Sequence, residues 1–576
     1  MKKIIDNIKT KRSIHYMLII IIGLLVSIPL LKMQISSSDD GRFHLLRLIG
    51  LDYALEFSSF PFLVFPFFCN DWGYSMTVFY PQVVTYIPYI LSFITNNFAN
   101  ALKLFAMITT ILSGIFMYNF VNEITKKKII ALFSAIIYIT FPYRFEDIYN
   151  RYAIGEFTAF VFIPIVFQGL YNLLNGDKKR HYYIAIGATG LILTHTISTL
   201  YTALFCVIYI FCNIRKLNNK DIIIKCLINT IFIILMSLMF IIPMLEFKFQ
   251  AEYTVLDPSI MRTNSESVAK NAISPMQFLK DIEEENGVSF VLGIPFLTTL
   301  LIGILIYKDI DEKYKKVYNI GLILGIISLF MCTKYFPWKY MPQVLCSLQY
   351  SWRLLGFAII FLAPICATNL YYLLKSITKK WIRNLVLLLI IILFSICTYK
   401  ELIAYEDGYI RKDTEYEKGK INNPVVHYFS INRDYLPTKS LLEQSGYLKI
   451  RTDETYILSG NAKIINEEKQ ALHLEVELQD VEEKTELELP YLFYPGYVVK
   501  LQTDSKEYEL EYEESQYGFI QVVIPEEINE GKIIVDYTAT VLDKASYILS
   551  GISFVLFIGY VIYFRRKTKK EEINEE

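Results

Sequence analysis

Long polar stretches are what this chain has least of. Only 20% of its 576 residues are charged against 53% hydrophobic, and the mean hydropathy is +0.35. A soluble enzyme of that length would separate its core segments with charged surface, so a soluble fold is excluded. Net charge is lacking too. The 57 Lys and Arg balance 57 Asp and Glu, but the balance hides a strong internal asymmetry and says nothing of partners; nothing in the sequence points to a nucleic acid, and no nucleic acid partner is expected. The eight cysteines include no CxxC pair, and Cys206, Cys212, Cys226, Cys366 and Cys397 lie in or beside apolar runs. Cys332 and Cys346 flank one loop and are able to pair, although two membrane-edge thiols is the plainer reading. His44 and His195 lack zinc-ligand spacing. Internal repeats are missing, and no small-residue cleavage site follows the first apolar run, which therefore reads as a retained anchor.

What is present instead is a series of apolar runs near or above the ~20 residues that cross about 30 Å of hydrocarbon. Basic clusters punctuate them: "MKKIIDNIKTKR", residues 126–128, "DKKRH", "RKLNNK", "DEKYKK", "KSITKKWIRN" and "RRKTKK". Lysine and arginine collect on the cytoplasmic side of short loops. Placing every cluster there demands paired crossings between them. The expected fold is a polytopic α-helical membrane protein with about 12 transmembrane helices, both termini cytoplasmic. The spans fall near 14–34, 99–121, 129–144, 157–174, 182–198, 199–213, 221–245, 288–307, 317–333, 352–374, 383–399 and 546–564. Residues 78–96 are apolar but short, with Pro81 and Pro88, and read as interfacial or re-entrant. Residues 182–213 read as a tight helical hairpin turning at "THTIST".

Four outer loops then gather polar groups. The first, 36–98, opens with "SSSDDGRFHLLRL". Read as a helix capped by Ser38, it holds Asp39 and Asp40 in its first turn, where carboxylates are favoured. Asp40, His44 and Arg47 share a face, with Arg42 beside them. Phe43, Leu46, Ile49 and Tyr53 take another face, expected to lie on the membrane surface. In "FPYRFEDIYNRYAIGEFTAF", 141–160, Arg144, Asp147 and Arg151 share a helix face and Glu156 follows one turn on. His195 sits at the hairpin tip, and "CSLQYSWRLLGF" brings Gln349, Trp352 and Arg353.

Each of these has a plain explanation taken singly. Arg144 with Asp147 reads as a salt bridge tying a loop, and His195 as a hydrogen-bonding helix end. Trp352 and Arg353 read as interface anchors, Asp39 and Asp40 as helix N-terminal charges. As a set on one membrane face, opposite simple lysine runs, they mark a site. A charge costs roughly 2.5 to 3.5 kcal/mol at a span's centre and less toward its ends, so such groups face a watery cavity or one another.

From about 400 to 545 the composition changes. "ALHLEVELQDVEEKTELELPYLFYPGYVVKLQ" alternates at period two, and further strands follow with turns expected at Gly518 and at Glu530–Gly531. A C-terminal extracytoplasmic β-sandwich is expected. The division is thus a transmembrane domain over 1–399, the β-rich domain over 400–545, and a final span with a basic tail over 546–576. "YLFYPGY" puts aromatics around a turn, more simply for packing than for sugar binding.

The ordered pieces "DDGRFHLLRL", "PYRFEDIYNRYAIGE", "LTHTISTLY", "LQYSWRLLGF" and "PYLFYPGYVVKL" resemble the bacterial YfhO-like, 6-pyruvoyl-tetrahydropterin synthase-related membrane proteins of the GT-C glycosyltransferase superfamily. That resemblance implies a GT-C-like fold and an enzyme moving a sugar from a polyprenyl-phosphate donor to an envelope polymer or glycolipid acceptor at the outer face. It implies Asp40 or Asp39 as catalytic base. Arg151 or Arg353 becomes the phosphate-binding group, within a substrate-binding set of Arg42, His44, Arg47, Arg144, Arg151, Glu156, His195, Gln349, Trp352 and Arg353. No second acidic metal-binding motif is found, so no cofactor is certain and a divalent metal stays open. The chemistry agrees. Guanidinium forks stabilise a leaving phosphate, and a carboxylate takes an acceptor hydroxyl's proton. Two other classes compete. A transporter or flippase for envelope lipids would show repeats with broken helices at mid-membrane, and none is found. A non-catalytic assembly protein would not need eleven spans before its β domain.

Overall fold

The computed structural model describes residues 11–280, 289–405, 434–442 and 451–575. The first half holds helices α1 (Arg12–Val26), α2 (Gly41–Phe57), α3 (Val83–Thr95), α4 (Phe98–Thr125), α5 (Lys128–Ile139), α6 (Ile154–Asn175), α7 (Tyr183–Ile192) and α8 (Thr196–Phe211). Next come α9 (Lys220–Gln250), α10 (Ile294–Ile306), α11 (Glu312–Cys332), α12 (Leu355–Ser376) and α13 (Lys380–Ala404), and after the strands α14 (Val541–Glu575).

Among the described residues, seven helices are long and apolar enough to cross a membrane: α4, α6, α9, α11, α12 with the turn before it, α13 and α14. An eighth crossing, α5 with Pro142–Asn150, is bent by 50°. The break follows from Pro142, which opens the new helical turn and holds Phe141 in extended backbone. The remaining four expected crossings fall on α1, α7, α8 and α10, of 15, 10, 16 and 13 residues. At 1.5 Å per residue these reach only about 15–24 Å, short of the hydrocarbon thickness. Twelve full-length spans are therefore more than the described residues hold, and the start of the 288–307 span lies outside them. Helix α3 is short, as expected for 78–96, and Ile90, Phe93 and Ile94 on it are exposed. The 182–213 stretch breaks at residues 193–195, where His195 is extended and its ring caps α8.

Basic clusters meet at one end of the bundle. Lys127 Nζ pairs with Asp311 (2.6 Å), Arg180 with Glu123 (3.6 Å), and Lys316 donates to Asn213 (2.9 Å). Helix α6 runs from Glu156 at the other end to Asn175 beside them, about 30 Å at helical rise. Cys332 and Cys346 are both buried free thiols rather than a disulfide.

Nine strands follow: β1 (Tyr456–Ser459), β2 (Lys463–Gln470), β3 (His473–Val481), β4 (Glu486–Leu492), β5 (Tyr497–Thr503), β6 (Glu507–Leu510), β7 (Tyr512–Glu514), β8 (Phe519–Val523) and β9 (Ile528–Tyr537). They form two antiparallel sheets, ordered β1-β4-β8-β7 and β2-β3-β9-β5-β6. Alternation sets the buried face: Leu474, Val476 and Leu478 of β3 are buried while Glu475 and Glu477 point away. Gly518 does turn, at φ +78°. Glu530 and Gly531 do not. They pair inside β9 with Gln479 and Leu478. In "YLFYPGY", Tyr491, Tyr494 and Tyr497 are buried by packing.

The sheets sit on the bundle through the irregular segment 58–82. The Leu492 amide donates to the Trp72 carbonyl (3.1 Å), and the Trp72 ring meets Phe519 edge-on at 5.1 Å. Tyr253, after α9, stacks on Tyr494 at 5.9 Å. Helix α2 is enclosed here. Leu46 and Ile49, expected on the membrane surface, are 3% and 1% exposed and share an apolar cluster with sheet residues Val476 and Val535. Burying such side chains is worth roughly 1.5–3 kcal/mol each.

Candidate functional site

Helix α2 begins at Gly41 with Asp40 as N-cap residue. The Ser38 hydroxyl, expected to cap it, donates instead to the Ile35 carbonyl (2.6 Å). A Cβ at position 41 would collide with that same carbonyl, so glycine is required there. The two acids are located by backbone. Asp39 N–H donates to the Asn150 carbonyl (3.2 Å) and Asp40 N–H to the Arg151 carbonyl (2.8 Å). This places the Asp40 residue directly against Arg151, from a stretch more than a hundred residues away.

Arg151 follows a single π-helical turn, Glu146–Asn150, a feature that recurs at functional sites. Its Nη1 donates to Asp147 Oδ1 (2.8 Å) and Glu156 Oε2 (3.0 Å), and its guanidinium lies 4.7 Å over the Trp352 ring. The Tyr143 hydroxyl donates to Glu156 Oε1 at 2.5 Å. Arg353 approaches the same Glu156 carboxylate at 3.5 Å and donates to the Leu348 carbonyl (2.9 Å) and Gln349 Oε1 (3.1 Å). Gln349, at φ +64°, donates in turn to the Met261 carbonyl (3.1 Å).

Gly155 brings a third segment in. Its N–H donates to the Tyr80 hydroxyl (3.1 Å), and a Cβ there would lie 2.8 Å from the Thr194 carbonyl and 2.9 Å from the His195 ring. His195 Nδ1 accepts from the Ser198 N–H (3.3 Å). A small pocket is lined by Glu156, His195, Ser198, Tyr201, Arg353 and Phe357. Asp40, Arg151, Glu156, His195, Gln349, Trp352 and Arg353 are thus brought together. Burial lifts the Asp40 carboxyl above the ordinary aspartate range, opposed by Arg151 and Arg353.

Other expected residues go elsewhere. Arg47 donates to the Tyr80 and Pro81 carbonyls (both 3.0 Å) and lies 4.5 Å over the Tyr80 ring, so it ties α2 to the start of α3. Burial pulls its pKa down to about 10. Arg144 does not bridge to Asp147. It donates to Thr110 (3.1 Å) in α4 and covers the Phe160 ring at 5.0 Å. His44 is buried against Phe43, Tyr80 and Tyr152, and its Nε2 has no hydrogen-bond partner among the described residues. Burial, then Arg47, keep its imidazole neutral. Asp39 is exposed and Arg42 half-buried.

Three side chains of the site escaped the sequence reading: Tyr143, Tyr80 and Asp434. Tyr143 was signalled by its place in the "PYRFED" cluster. Asp434 stands in a stretch without pattern, yet it lies within the field of the Asp40 charge. Among the described residues no three His, Cys, Asp or Glu side chains are grouped to hold a metal ion.

Fold and site together define a helical membrane protein whose bundle ends in a buried arginine–carboxylate network beneath an antiparallel β-sheet region. The chain belongs to the YfhO-like family of membrane proteins described as 6-pyruvoyl-tetrahydropterin synthase related domain, which matches residues 78–404. That match includes Arg151, Glu156, His195 and Arg353 and stops short of Asp40 and the sheets. An uncharacterized protein of Lactococcus lactis subsp. cremoris (strain MG1363) is 22% identical over 612 residues, covering 99% of this chain and 98% of its own length.

Proposed function

We propose that this protein is a GT-C-type glycosyltransferase. It moves a sugar from a polyprenyl-phosphate donor to a cell-envelope polymer or glycolipid at the outer membrane face, with both termini cytoplasmic. The observation that carries the reading is the meeting of Asp40 with Arg151, Glu156 and Arg353 at one end of the bundle. Arg353 is the cation for the donor phosphate, since its ion pair with Glu156 is the loosest of the network and it borders the cavity. Arg151, held by two carboxylates, keeps the network in place and reinforces the positive field. In the reaction the acceptor oxygen bonds to the anomeric carbon while the anomeric carbon–phosphate oxygen bond breaks. The leaving polyprenyl phosphate takes the bonding pair beside the guanidinium, and the acceptor hydroxyl's proton passes to Asp40.

A lipid tail has somewhere to go. An apolar pocket lined by Phe167, Tyr209, Phe361 and Tyr372 lies deeper between the same helices. Phe205, packed 5.2 Å from both Phe357 and Phe361, divides it from the charged cavity. The same lane favours the second reading, a transporter or flippase for a lipid-linked sugar.

The test is transfer in proteoliposomes from a polyprenyl-phosphate sugar to an envelope acceptor fraction. Asp40→Asn is expected to lower the rate by about 10²–10⁴, the ordinary worth of general-base catalysis, in protein that purifies as the wild type does. Unchanged transfer by the Asp39→Asn, Asp40→Asn double variant would remove the base assignment. Movement of the lipid-linked sugar across the bilayer without transfer would select the transporter.

A further inference from the structure

Asp434 heads a strap that no motif announced. Residues 434–441 are tied at four backbone points. The Tyr435 amide donates to the Tyr74 hydroxyl (3.4 Å), and its carbonyl accepts from the Tyr494 hydroxyl (3.0 Å). The Leu436 carbonyl accepts from Thr254 N–H (3.1 Å), and Thr438 N–H donates to the Glu252 carbonyl (2.7 Å). The strap is therefore clamped between the end of α9 and the sheets. Its Tyr435 ring stacks on Phe43 at 5.9 Å and lies nearly parallel to Phe79 at 6.5 Å. Phe43 stands in the first turn of α2, three residues beyond Asp40. The clamped strap thus leads to the helix start that bears the site's first acid.

We propose that Asp434 is a positioning residue of this site. The strap sets its carboxyl beside Asp40 as the member of the pair that keeps a proton, which leaves Asp40 as the ionised member next to Arg151 and Arg353. Its purpose rests on the reading of Asp40 as proton acceptor; the pairing itself does not.

The surroundings of the two acids differ in the required direction. Asp40 faces two guanidiniums, Arg151 and Arg353, as well as the like charges of Asp39 and Glu156. Asp434 faces Asp40, Tyr435 and Tyr74, and the nearby Arg47 is spent on carbonyls 80 and 81. Burial first, then the charge of Asp40, push Asp434 up to about 7. An acid within the field of another does not ionise beside it without cost, so the one facing the cations loses its proton first.

Dicyclohexylcarbodiimide modifies protonated carboxyls in apolar surroundings and reads the pairing without any assay of transfer. In the purified full-length protein, peptide mass spectrometry should find an adduct on Asp434 that fades with a midpoint near 7. In Asp40→Asn the midpoint should move to lower pH, because the neighbouring negative charge is gone. A midpoint that stays put in Asp40→Asn, or the lack of any adduct on Asp434, overturns the proposal. In transfer assays, Asp434→Ala should move the acid limb of the pH–rate profile upward, and Asp434→Asn, which keeps a hydrogen-bond donor, should move it less. A lower rate with the limb unmoved in both variants also overturns it. A shifted adduct midpoint in protein that transfers no sugar keeps the pairing and removes the transferase.

Discussion

Arg151 serves two acids with one nitrogen. Its side chain is 5% exposed, Asp147 is fully buried and Glu156 6% exposed. Removing the guanidinium strands two carboxylates in apolar surroundings, which typically costs about 3–5 kcal/mol. Arg151→Ala is therefore expected to lower the thermal unfolding midpoint in detergent by many degrees. Arg353→Ala should cost clearly less, because that side chain is 13% exposed and lies at the edge of the network. Equal losses from the two would contradict this account. At this scale the sequence was a mixed guide. Charge pattern at the ends of apolar runs was enough to single out Asp40, Arg151, Glu156 and Arg353. It could not say which arginine each acid would meet, since Arg47 and Arg144 carry the same charge at similar positions and turn toward backbone and Thr110 instead. Asp434 was invisible because it is recruited by stacking of its neighbour Tyr435, and one aromatic in a polar stretch is no signal.

Elements meet closely where glycine allows it. At Gly155, the first turn of α6 touches Tyr80 and the break before α8, and a Cβ would stand 2.7 Å from the Tyr80 oxygen. Two of the three nearest groups are backbone or a ring packed in place, so Gly155→Ala must push segments apart. A loss of about 1–3 kcal/mol is expected, as for other overpacked positions, together with a weakened site; a melting midpoint within a degree of wild type would refute it. Element type was legible wherever periodicity was long. Strand β3 alternates over residues 473–479, and the buried set follows it. The exception at Gly531 is instructive. "NEG" has turn chemistry, but Ile533 and Val535 continue the alternation beyond it, and pairing on both sides with β3 and β5 carries the strand through. For α2 the apolar residues read as facing lipid because what packs on the helix lies outside its own stretch: Phe65 crosses Gly50, and Tyr435, almost four hundred residues later, stacks on Phe43. Burial by a distant segment leaves no local trace.

For the whole molecule, the sheets and the bundle are one assembly through Trp72 and Tyr253. Trp72 is 4% exposed, between segment 58–82 and β8. Trp72→Ala should cost about 3–5 kcal/mol of local stability, seen as faster proteolytic cleavage of the C-terminal sheets while the helical core survives. The proposed orientation has its own check. A membrane-impermeant maleimide added to intact cells should label Ser37→Cys, Asn150→Cys and Thr503→Cys alike, and protection of any one from outside reverses or breaks the proposed topology. Crossing number was the least legible quantity. Basic clusters show where the chain must return, not whether a ten-residue helix such as α7 gets there in one span or by leaning on its neighbour.

The two backbone hydrogen bonds that tie residues 39 and 40 to residues 150 and 151 act as a rivet. Shifting the proposed proton acceptor away from Arg151 would break both hydrogen bonds, each worth about 1 kcal/mol, so acid and cation travel as one jaw. In the proposed reaction the donor would then enter from the opposite jaw, where Arg353 reaches Glu156 only at 3.5 Å and borders the charged pocket.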